Sequence, residues 1–491
     1  MATSVCDVKF VRIVIMSISY MLIFTAFQTS SMLEQSVIDG AKAEPNSTFT
    51  GDGFISLATI YAVFAASNWG APSVISVLGP KISMMVGGVP YLLLVASFLR
   101  PMTWALYTGS VLVGLGASVL WTAQGNFLTL NSDTNTITRN SGVFWALMQS
   151  NLVIGNLYVY LAFKGDITIT SEMRTTLYLI LSSICLGGIA LLFVLFCLRS
   201  PSTESDITPI QGKDSREPLC AEKTGDPAPI EEDDSSGPWQ AFKSSLSLLG
   251  TKQMLLLTFT FGFTGLHLTF FSGVYGTCVG HTLQLGDNAK SYIGFCGIFI
   301  GVGEIVGGLI FSIFGKRTQK YGRDPIILLG FIANIGAYFL IFLNLPDSSP
   351  FGNTTDFAHI QSNVGVAVIS AFLLGFGDSC FNTQLFSILG DIYREESSQA
   401  FALFRFVQSL TAAAGFFYSN HISLQWQLLI LVITSVLAIA TFIPVEWKNI
   451  HPRAGYSNLE SEEKRSAEGV ALVPKESFGT FSVSSEEVNG K

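Results

Sequence analysis

Twelve stretches of roughly 20 mainly apolar residues follow one another along this 491-residue chain, and they constrain its fold more than any other feature. A helix of about 20 residues crosses a hydrocarbon core at 1.5 Å per residue. Only 13% of the residues are charged, whereas soluble domains carry roughly 25%, so the chain cannot cover these stretches with a polar surface. We therefore predict an all-α membrane protein whose twelve transmembrane helices lie near 10–31, 54–77, 82–99, 104–125, 142–163, 176–198, 254–277, 291–313, 325–344, 364–387, 399–419 and 424–444.

A polar stretch rich in Pro, Asp, Glu, Ser and Lys divides these helices into two groups of six. It cannot bury enough apolar surface to fold alone. The two groups echo each other, since Phe144–Ser150 resembles Leu403–Ser409, and such repeats are typical of duplicated transporter halves. We predict four regions: an N-terminal half over 1–199, a disordered cytosolic linker over 200–250, a C-terminal half over 251–446 and a disordered cytosolic tail over 447–491.

The distribution of Lys and Arg predicts that both termini face the cytosol, because basic residues concentrate in the short cytosolic segments of membrane proteins. With this orientation, most short-loop Lys and Arg residues lie on the cytosolic side. Two glycosylation acceptors, Asn46 and Asn353, begin N-x-[ST] sequences in loops that the same topology places outside. The chain is therefore expected to be a glycoprotein.

Several classes of function are not supported by the sequence. The net charge is -8, and acidic residues crowd into the linker at Glu231–Asp234 and into the tail at Glu460–Glu463. No basic patch is interleaved with exposed aromatic residues, so a nucleic-acid partner is not expected. The seven cysteines show no pairing or CxxC pattern. Phosphate-binding loops, nucleophile elbows and metal-ligand motifs are not found. We expect no enzyme, no cofactor and no metal.

The segment after the eighth predicted helix, Gly315–Pro325, resembles the Gly- and Arg/Lys-rich cytosolic loop of the major facilitator superfamily. The first-half counterpart, Gly79–Ile82, has lost most of that pattern. Three further blocks, Phe24–Thr29, Leu120–Asn126 and Gly375–Gln384, are similar to the Unc-93-like branch of that superfamily. The residues of the expected cytosolic gating loop are Gly315, Lys316, Lys320, Gly322 and Arg323.

The resemblance implies a bundle of two six-helix halves, but it leaves the activity divided. Some members of the branch resemble solute carriers, whereas others act as chaperones for membrane receptors or as regulators of potassium channels. Transport is favoured by the retained second-half loop, and an accessory role is favoured by the degenerate first-half loop.

Three ionisable residues lie inside apolar helices of the second half: Glu304, Asp378 and Arg405. Such residues cost several kcal/mol when they face lipid, so they usually face the bundle or a wet cavity. One interpretation is a site in which a carboxylate exchanges a proton or cation as the cavity alternates between faces. The other is a buried ion pair between Arg405 and a carboxylate that fixes helix packing.

In the superfamily's architecture the first, fourth, seventh and tenth helices line the central cavity. The polar residues of these helices could bind a polar solute, or they could form hydrogen bonds between helices. His267 in the seventh helix is either satisfied by a neighbouring group or used as a proton relay. The candidate cavity-lining residues are Gln28, Gln124, Asn126, His267, Asn382 and Gln384.

Two shorter motifs complete the sequence. Gly303-xxx-Gly307 lies inside a transmembrane helix and follows no strand, which favours helix packing over phosphate binding. After the last helix, Tyr456 and Leu459 have the spacing of a tyrosine-based sorting signal, which would direct the protein between the plasma membrane and endolysosomal membranes.

The sequence therefore predicts a multi-pass membrane protein that resembles a secondary transporter of an unknown small solute, with protons as one candidate coupling ion. The alternative is a non-transporting accessory protein, a chaperone or regulator of membrane receptors or ion channels. Expected partners are the lipid bilayer, a small solute or proton and, in the alternative, other membrane proteins.

Overall fold

A computed structural model describes residues 2–42, 44, 48–162, 171–198, 238–286, 289, 291–419 and 421–471. Their regular structure is almost entirely helical, in agreement with the predicted fold class. The helices are α1 (Ala2–Lys42), α2 (Gly53–Ser67), α3 (Ala71–Ser97), α4 (Thr103–Leu130), α5 (Ile137–Ala162), α6 (Ser171–Cys197), α7 (Pro238–Leu249), α8 (Lys252–Thr269), α9 (Tyr275–His281), α10 (Ser291–Tyr321), α11 (Asp324–Asn344), α12 (Val364–Ile392), α13 (Ser397–Ser419) and α14 (Leu424–Ala471).

Within these described residues, ten helical segments are long and apolar enough to cross a membrane. The predicted second and fifth helices are the two that do not reach this standard. The second is divided between the short helix α2 and the beginning of α3, and the fifth corresponds to α5. The structure therefore supports a polytopic membrane protein, while the count of twelve stays a prediction.

The predicted second and third helices are joined without a separate loop. Helix α3 contains a break at Gly79, whose φ of 71° is a conformation that residues with a side chain rarely adopt. Pro80 follows and has no backbone N–H to continue the hydrogen-bond ladder. These two residues interrupt α3 between the part that continues the predicted second helix and the part that forms the predicted third.

The seventh membrane-spanning segment, Lys252–His281, consists of α8, a π-helical turn over Phe270–Val274, and α9. Such turns add a residue to one helical turn and occur often at functional positions. The apolar run in the sequence continues unchanged through this turn.

Two sequence predictions about polar segments are corrected by helix boundaries. Pro238–Leu249 forms α7, so the prediction of a disordered linker over 200–250 is wrong for these residues. The expected gating loop is also mostly helical, because α10 continues to Tyr321. Gly322, with a φ of 79°, and Arg323 alone separate α10 from α11.

The chain divides into two units, Met1–Glu446 and Trp447–Lys491. In the second unit the backbone is helical as far as Ala471, within the region predicted to be a disordered tail. The first unit contains both six-helix groups. Its halves meet mainly where α5 packs against α10 and α12, and where α2 and α4 pack against α13.

The α5–α10 interface depends on small residues. A Cβ atom at Gly308 would lie 2.8 Å from both the Gly142 carbonyl oxygen and the Ala146 backbone nitrogen. Toward the other end of the interface, a Cβ at Gly297 would lie 2.8 Å from the Asn156 side chain. The two helices therefore contact each other closely along most of their common length, with α5 from the first half and α10 from the second.

Gly303 and Gly307 pack against α12 rather than forming a phosphate loop. A Cβ at Gly303 would collide with the Phe372 carbonyl oxygen, and one at Gly307 would lie 2.7 Å from the Ser379 side chain. This close approach brings α10 and α12 together beside the buried acidic residues of both helices.

Candidate functional site

Glu304 and Asp378, from α10 and α12, form a buried carboxyl pair. Their carboxyl groups lie close enough to interact, and the two residues are 0% and 2% exposed. Two carboxyl groups can hydrogen-bond to each other only when one of them is protonated, because an ionised carboxylate is only an acceptor. The pair is therefore a candidate site for a bound proton.

Trp145 connects this pair to the other half of the molecule. Its indole Nε1–H in α5 donates a hydrogen bond of 2.6 Å to Oε2 of Glu304. Gln149, one helical turn further along α5, lies near the same carboxyl group. On the opposite side, Asn382 Nδ2 donates to Oδ2 of Asp378 over 2.9 Å. The carboxyl pair thus lies directly at the interface between the halves.

Arg405 is surrounded by aromatic rings. Its guanidinium carbon lies 4.2 Å from the centre of the Trp121 ring, 4.9 Å from that of Phe404 and 5.4 Å from that of Phe386. Its Nη1 donates to Oε1 of Gln408 over 2.5 Å. The faces of these aromatic rings attract the positive charge of the Arg405 guanidinium and stabilise it in this position.

The ion pair expected between Arg405 and a carboxylate is not formed among the described residues. Within the described part of the chain, four buried polar atoms of these residues have no hydrogen-bond partner: Arg405 Nε and Nη2, Glu304 Oε1 and Asp378 Oδ1. Since Trp121 belongs to α4, this arginine also contacts the first half. The three ionisable residues were chosen correctly as buried, but their partners are different from those expected.

His267 is fully occupied by its neighbours. Its Nδ1 lies 2.7 Å from the Tyr338 hydroxyl, and its Nε2 lies 3.2 Å from the Leu374 carbonyl oxygen. A carbonyl only accepts, so Nε2 carries the proton and a neutral ring accepts from Tyr338 at Nδ1. This is the arrangement expected of a structural histidine.

The amides of the expected cavity helices divide into two groups. Asn126 has a partner, because its Nδ2 donates to Ser397 Oγ across the halves over 2.9 Å. By contrast, both polar atoms of Gln124 are buried without a protein partner, and so are the side-chain oxygens of Gln28, Asn382 and Gln384. Buried amide atoms are normally hydrogen-bonded, so these atoms are available to a polar ligand or water.

Arg323 forms a second buried charge cluster, at the end of α11. It lies 2.8 Å from Asp391 of α12 and 2.8 Å from Glu446 of α14, and its Nε donates to Ser387. Burial and the two carboxylates compete in setting the pKa of Arg323, and the carboxylates win, so its pKa is raised. Arg323 was predicted in the gating loop, but Asp391 and Glu446 were missed because acidic residues at the end of an apolar run look like ordinary polar flanks.

Other sequence-predicted residues lie apart from this site. Asn353 is exposed, as a glycosylation acceptor requires, whereas Asn46 lies outside the described residues. The side chains of Gly315, Lys316 and Lys320 are not among those described, although their backbone belongs to α10. Tyr456 and Leu459 fall within the helical backbone of α14, with no described side chain.

The class of protein follows from similarity to solved structures. A crystal structure of the transporter FucP in its outward conformation matches 87% of this chain and 97% of its own, with a TM-score of 0.59 and 14% identity. The proton:xylose symporter XylE matches 92% of this chain and 97% of its own, with a TM-score of 0.61 and 11% identity. The chain is thus a multi-pass integral membrane protein with the major facilitator fold, as predicted.

Within that class, residues 44–443 match the family described as "Ion channel regulatory protein UNC-93". The UNC93-like protein MFSD11 of Xenopus laevis is 46% identical over 454 residues, which cover 92% of this chain and 99% of that protein. The chain belongs to the UNC-93 family, and the predicted family is confirmed.

Proposed function

We propose that this chain is a proton-coupled secondary transporter in which the Glu304–Asp378 pair carries the coupling proton. The observation that supports this most directly is a carboxyl pair, buried at the interface of the two halves, that can be joined by a hydrogen bond only when one member is protonated. The chain also shares its fold with transporters that include a symporter of protons and xylose.

The chemistry of coupling follows from the contacts of the pair. When the proton leaves, the two carboxylates repel each other in a region of low dielectric constant, so the hydrogen bond between α10 and α12 is lost. Trp145 holds Glu304 from the first half, and any change at the pair therefore acts on the contact between halves. The unpaired amide of Gln124 and the unpaired side-chain oxygen of Gln384 would bind the polar solute.

The proposed topology places both termini in the cytosol, and the proposed location is the plasma membrane or an endolysosomal membrane. The sequence supports this through the distribution of Lys and Arg and through Tyr456 and Leu459. A transport or regulatory role, without catalysis, fits the fold and the family.

Uptake into proteoliposomes that contain only the purified protein tests the proposal. Pooled polar solutes are presented with and without an imposed proton gradient. We expect saturable uptake that depends on the gradient, and we expect Asp378→Asn and Glu304→Gln to lose that dependence because neither amide can release a proton. Glu172→Gln is the matched control, since Glu172 is an exposed carboxylate at the start of α6.

Gradient-dependent uptake that persists in both variants would contradict coupling through the pair. Silence of the folded protein toward every solute would contradict transport itself.

A regulatory role is the second candidate, because the family is described as one of ion channel regulators and the first-half loop is degenerate. In that role the bundle would bind the transmembrane helices of a channel or receptor. Crosslinking of membrane partners in cells distinguishes the two roles, since association would be retained in Asp378→Asn.

A further inference from the structure

A cavity of about 630 Å³ opens in the first half, away from the carboxyl pair. Its walls come from the beginning of α1, the break in α3 and the ends of α4 and α6. Our topology places all four of these positions at the cytosolic surface of the membrane. This volume lies within the range of about 300–1,000 Å³ that small-ligand sites occupy.

The charge of the cavity is entirely positive among its described lining residues. Lys9 and Arg12 from α1 and Lys81 from α3 line it, and none of its described lining residues is acidic. Lys9 has a distant partner at the rim, since its Nζ lies 3.6 Å from the exposed carboxylate of Asp133. Among the described residues, Arg12 and Lys81 have no ion-pair partner, and the Lys81 ammonium donates to the Leu198 carbonyl oxygen over 2.7 Å.

Arg12 gives the strongest indication of a ligand. The residue is only 3% exposed, yet its Nε and Nη2 atoms are buried without a hydrogen-bond partner. A buried charge is unfavourable unless it is paired and hydrogen-bonded. Lys81 nearby adds a second positive charge, so the two repel each other until an anion separates them.

The chemistry of the anion follows from these donors. A guanidinium presents two parallel N–H groups, which match two oxygens of a phosphate group, and lysines add point charges around it. Three cations fit a phosphomonoester, whose charge at neutral pH approaches two, better than they fit a single carboxylate. We propose that this cavity binds the phosphate group of a phosphomonoester anion.

The rim of the cavity indicates where such a phosphate would come from. Leu130 and Phe196 line the cavity and are exposed by 55% and 44%, in helices that lie in the bilayer. An acyl chain could follow these side chains while the headgroup reaches Arg12. A lipid phosphate and a soluble phosphomonoester share the same chemistry, so the experiment separates them.

Titration of the purified full-length chain in neutral detergent tests the site. One arm adds phosphatidic acid, with phosphatidylcholine as the lipid of zero net charge, and the other adds glycerol 3-phosphate. Binding is followed by the thermal-unfolding midpoint and by native mass spectrometry. We expect one arm to give saturable binding, and we expect Arg12→Gln to weaken it about tenfold to a hundredfold because one charged hydrogen-bonding group is lost.

Arg12 is buried, so its replacement could also impair folding. Lys81→Gln provides a second variant at a less buried position and should weaken binding by about tenfold. Lys252→Gln is the control, because Lys252 is an exposed lysine at the start of α8, the second-half counterpart of α1.

Binding confined to phosphatidic acid would assign the site to a lipid, and binding of glycerol 3-phosphate would assign it to a soluble compound. Binding in neither arm, or equal binding by the wild type, Arg12→Gln and Lys81→Gln, would overturn the proposal. None of these outcomes depends on solute uptake, so this experiment tests the binding site independently of the proposed transport function.

Discussion

Glu34 lies beyond the first membrane-spanning segment, Val8–Ser31, yet its side chain is only 2% exposed. Burial raises its pKa to about 7, partly opposed by a hydrogen bond from Ser56, while the charge of Asp52 adds to the increase. Tyr178 interacts electrostatically with both Glu34 and Arg174. Between its usual value and pH 7, Glu34 therefore binds a proton in the folded state but not in the unfolded state.

A pH dependence of stability follows. Because the folded state holds this extra proton, stability is greatest below the unfolded pKa and falls as pH rises toward 7. The Glu34 contribution amounts to at most about 3 kcal/mol. We expect Glu34→Gln to flatten this part of the profile, measured as the free energy of unfolding of the detergent-solubilised protein at several pH values.

Glu172→Gln serves as the control, since Glu172 is exposed on α6. A Glu34→Gln profile that falls as steeply as that of the wild type between pH 5 and 7 would contradict the prediction.

Residues were predictable from the sequence where a polar group stood out against an apolar background. Glu304, Asp378 and Arg405 were found in this way, because a charge in a membrane helix must be buried or solvated. Their partners could not be predicted, because nothing in the sequence indicates that the Trp145 N–H lies against Glu304 in the fold. Tertiary contact alone decides which polar group meets which.

At the scale of elements, the order and approximate positions of the helices followed from hydropathy, but their interruptions did not. An apolar run looks the same whether the helix continues, breaks as at Gly79 or widens as at Phe270–Val274. Likewise the polar composition of Gly315–Tyr321 predicts a loop, although the backbone there is helical. The number of charged residues in a segment indicates where the membrane-spanning part ends, but it does not indicate where the helix ends.

The small residues between α5 and α10 give a testable prediction. Gly308→Ala places a methyl group 2.8 Å from the backbone of α5, which we expect to lower the free energy of unfolding by about 1–3 kcal/mol through overpacking. Gly187→Ala in α6 meets no described atom within 4 Å, and we expect it to raise stability by about 0.5–1 kcal/mol.

Unfolding of both variants in the same detergent provides the measurement. Equal and small effects at the two positions would show that α5 and α10 separate at little cost.

At the scale of the whole molecule, similarity to known transporters defines the arrangement of the two halves, while the motion between them is a prediction. Asn126 of α4 and Ser397 of α13 contact each other across the halves over 2.9 Å. A link between these positions would hold the halves together at one end. Alternating access requires them to part there.

We expect the double variant Asn126→Cys/Ser397→Cys, joined by a short thiol-reactive crosslinker, to lose solute uptake and to regain it after a reducible link is cleaved. The two single variants treated with the same reagent are the controls. Uptake that continues in fully crosslinked protein would contradict rocking of the halves. If the protein is instead a regulator, the crosslinked form should still bind its membrane partner.

The glycine-based contact between α5 and α10 also has a consequence for how this family can evolve. A Cβ at Gly142 or Gly308 would meet backbone atoms of the facing helix, so no smaller neighbour could make room for an added side chain. Related chains should therefore keep glycine at both positions, and lineages that replace either one should be rare.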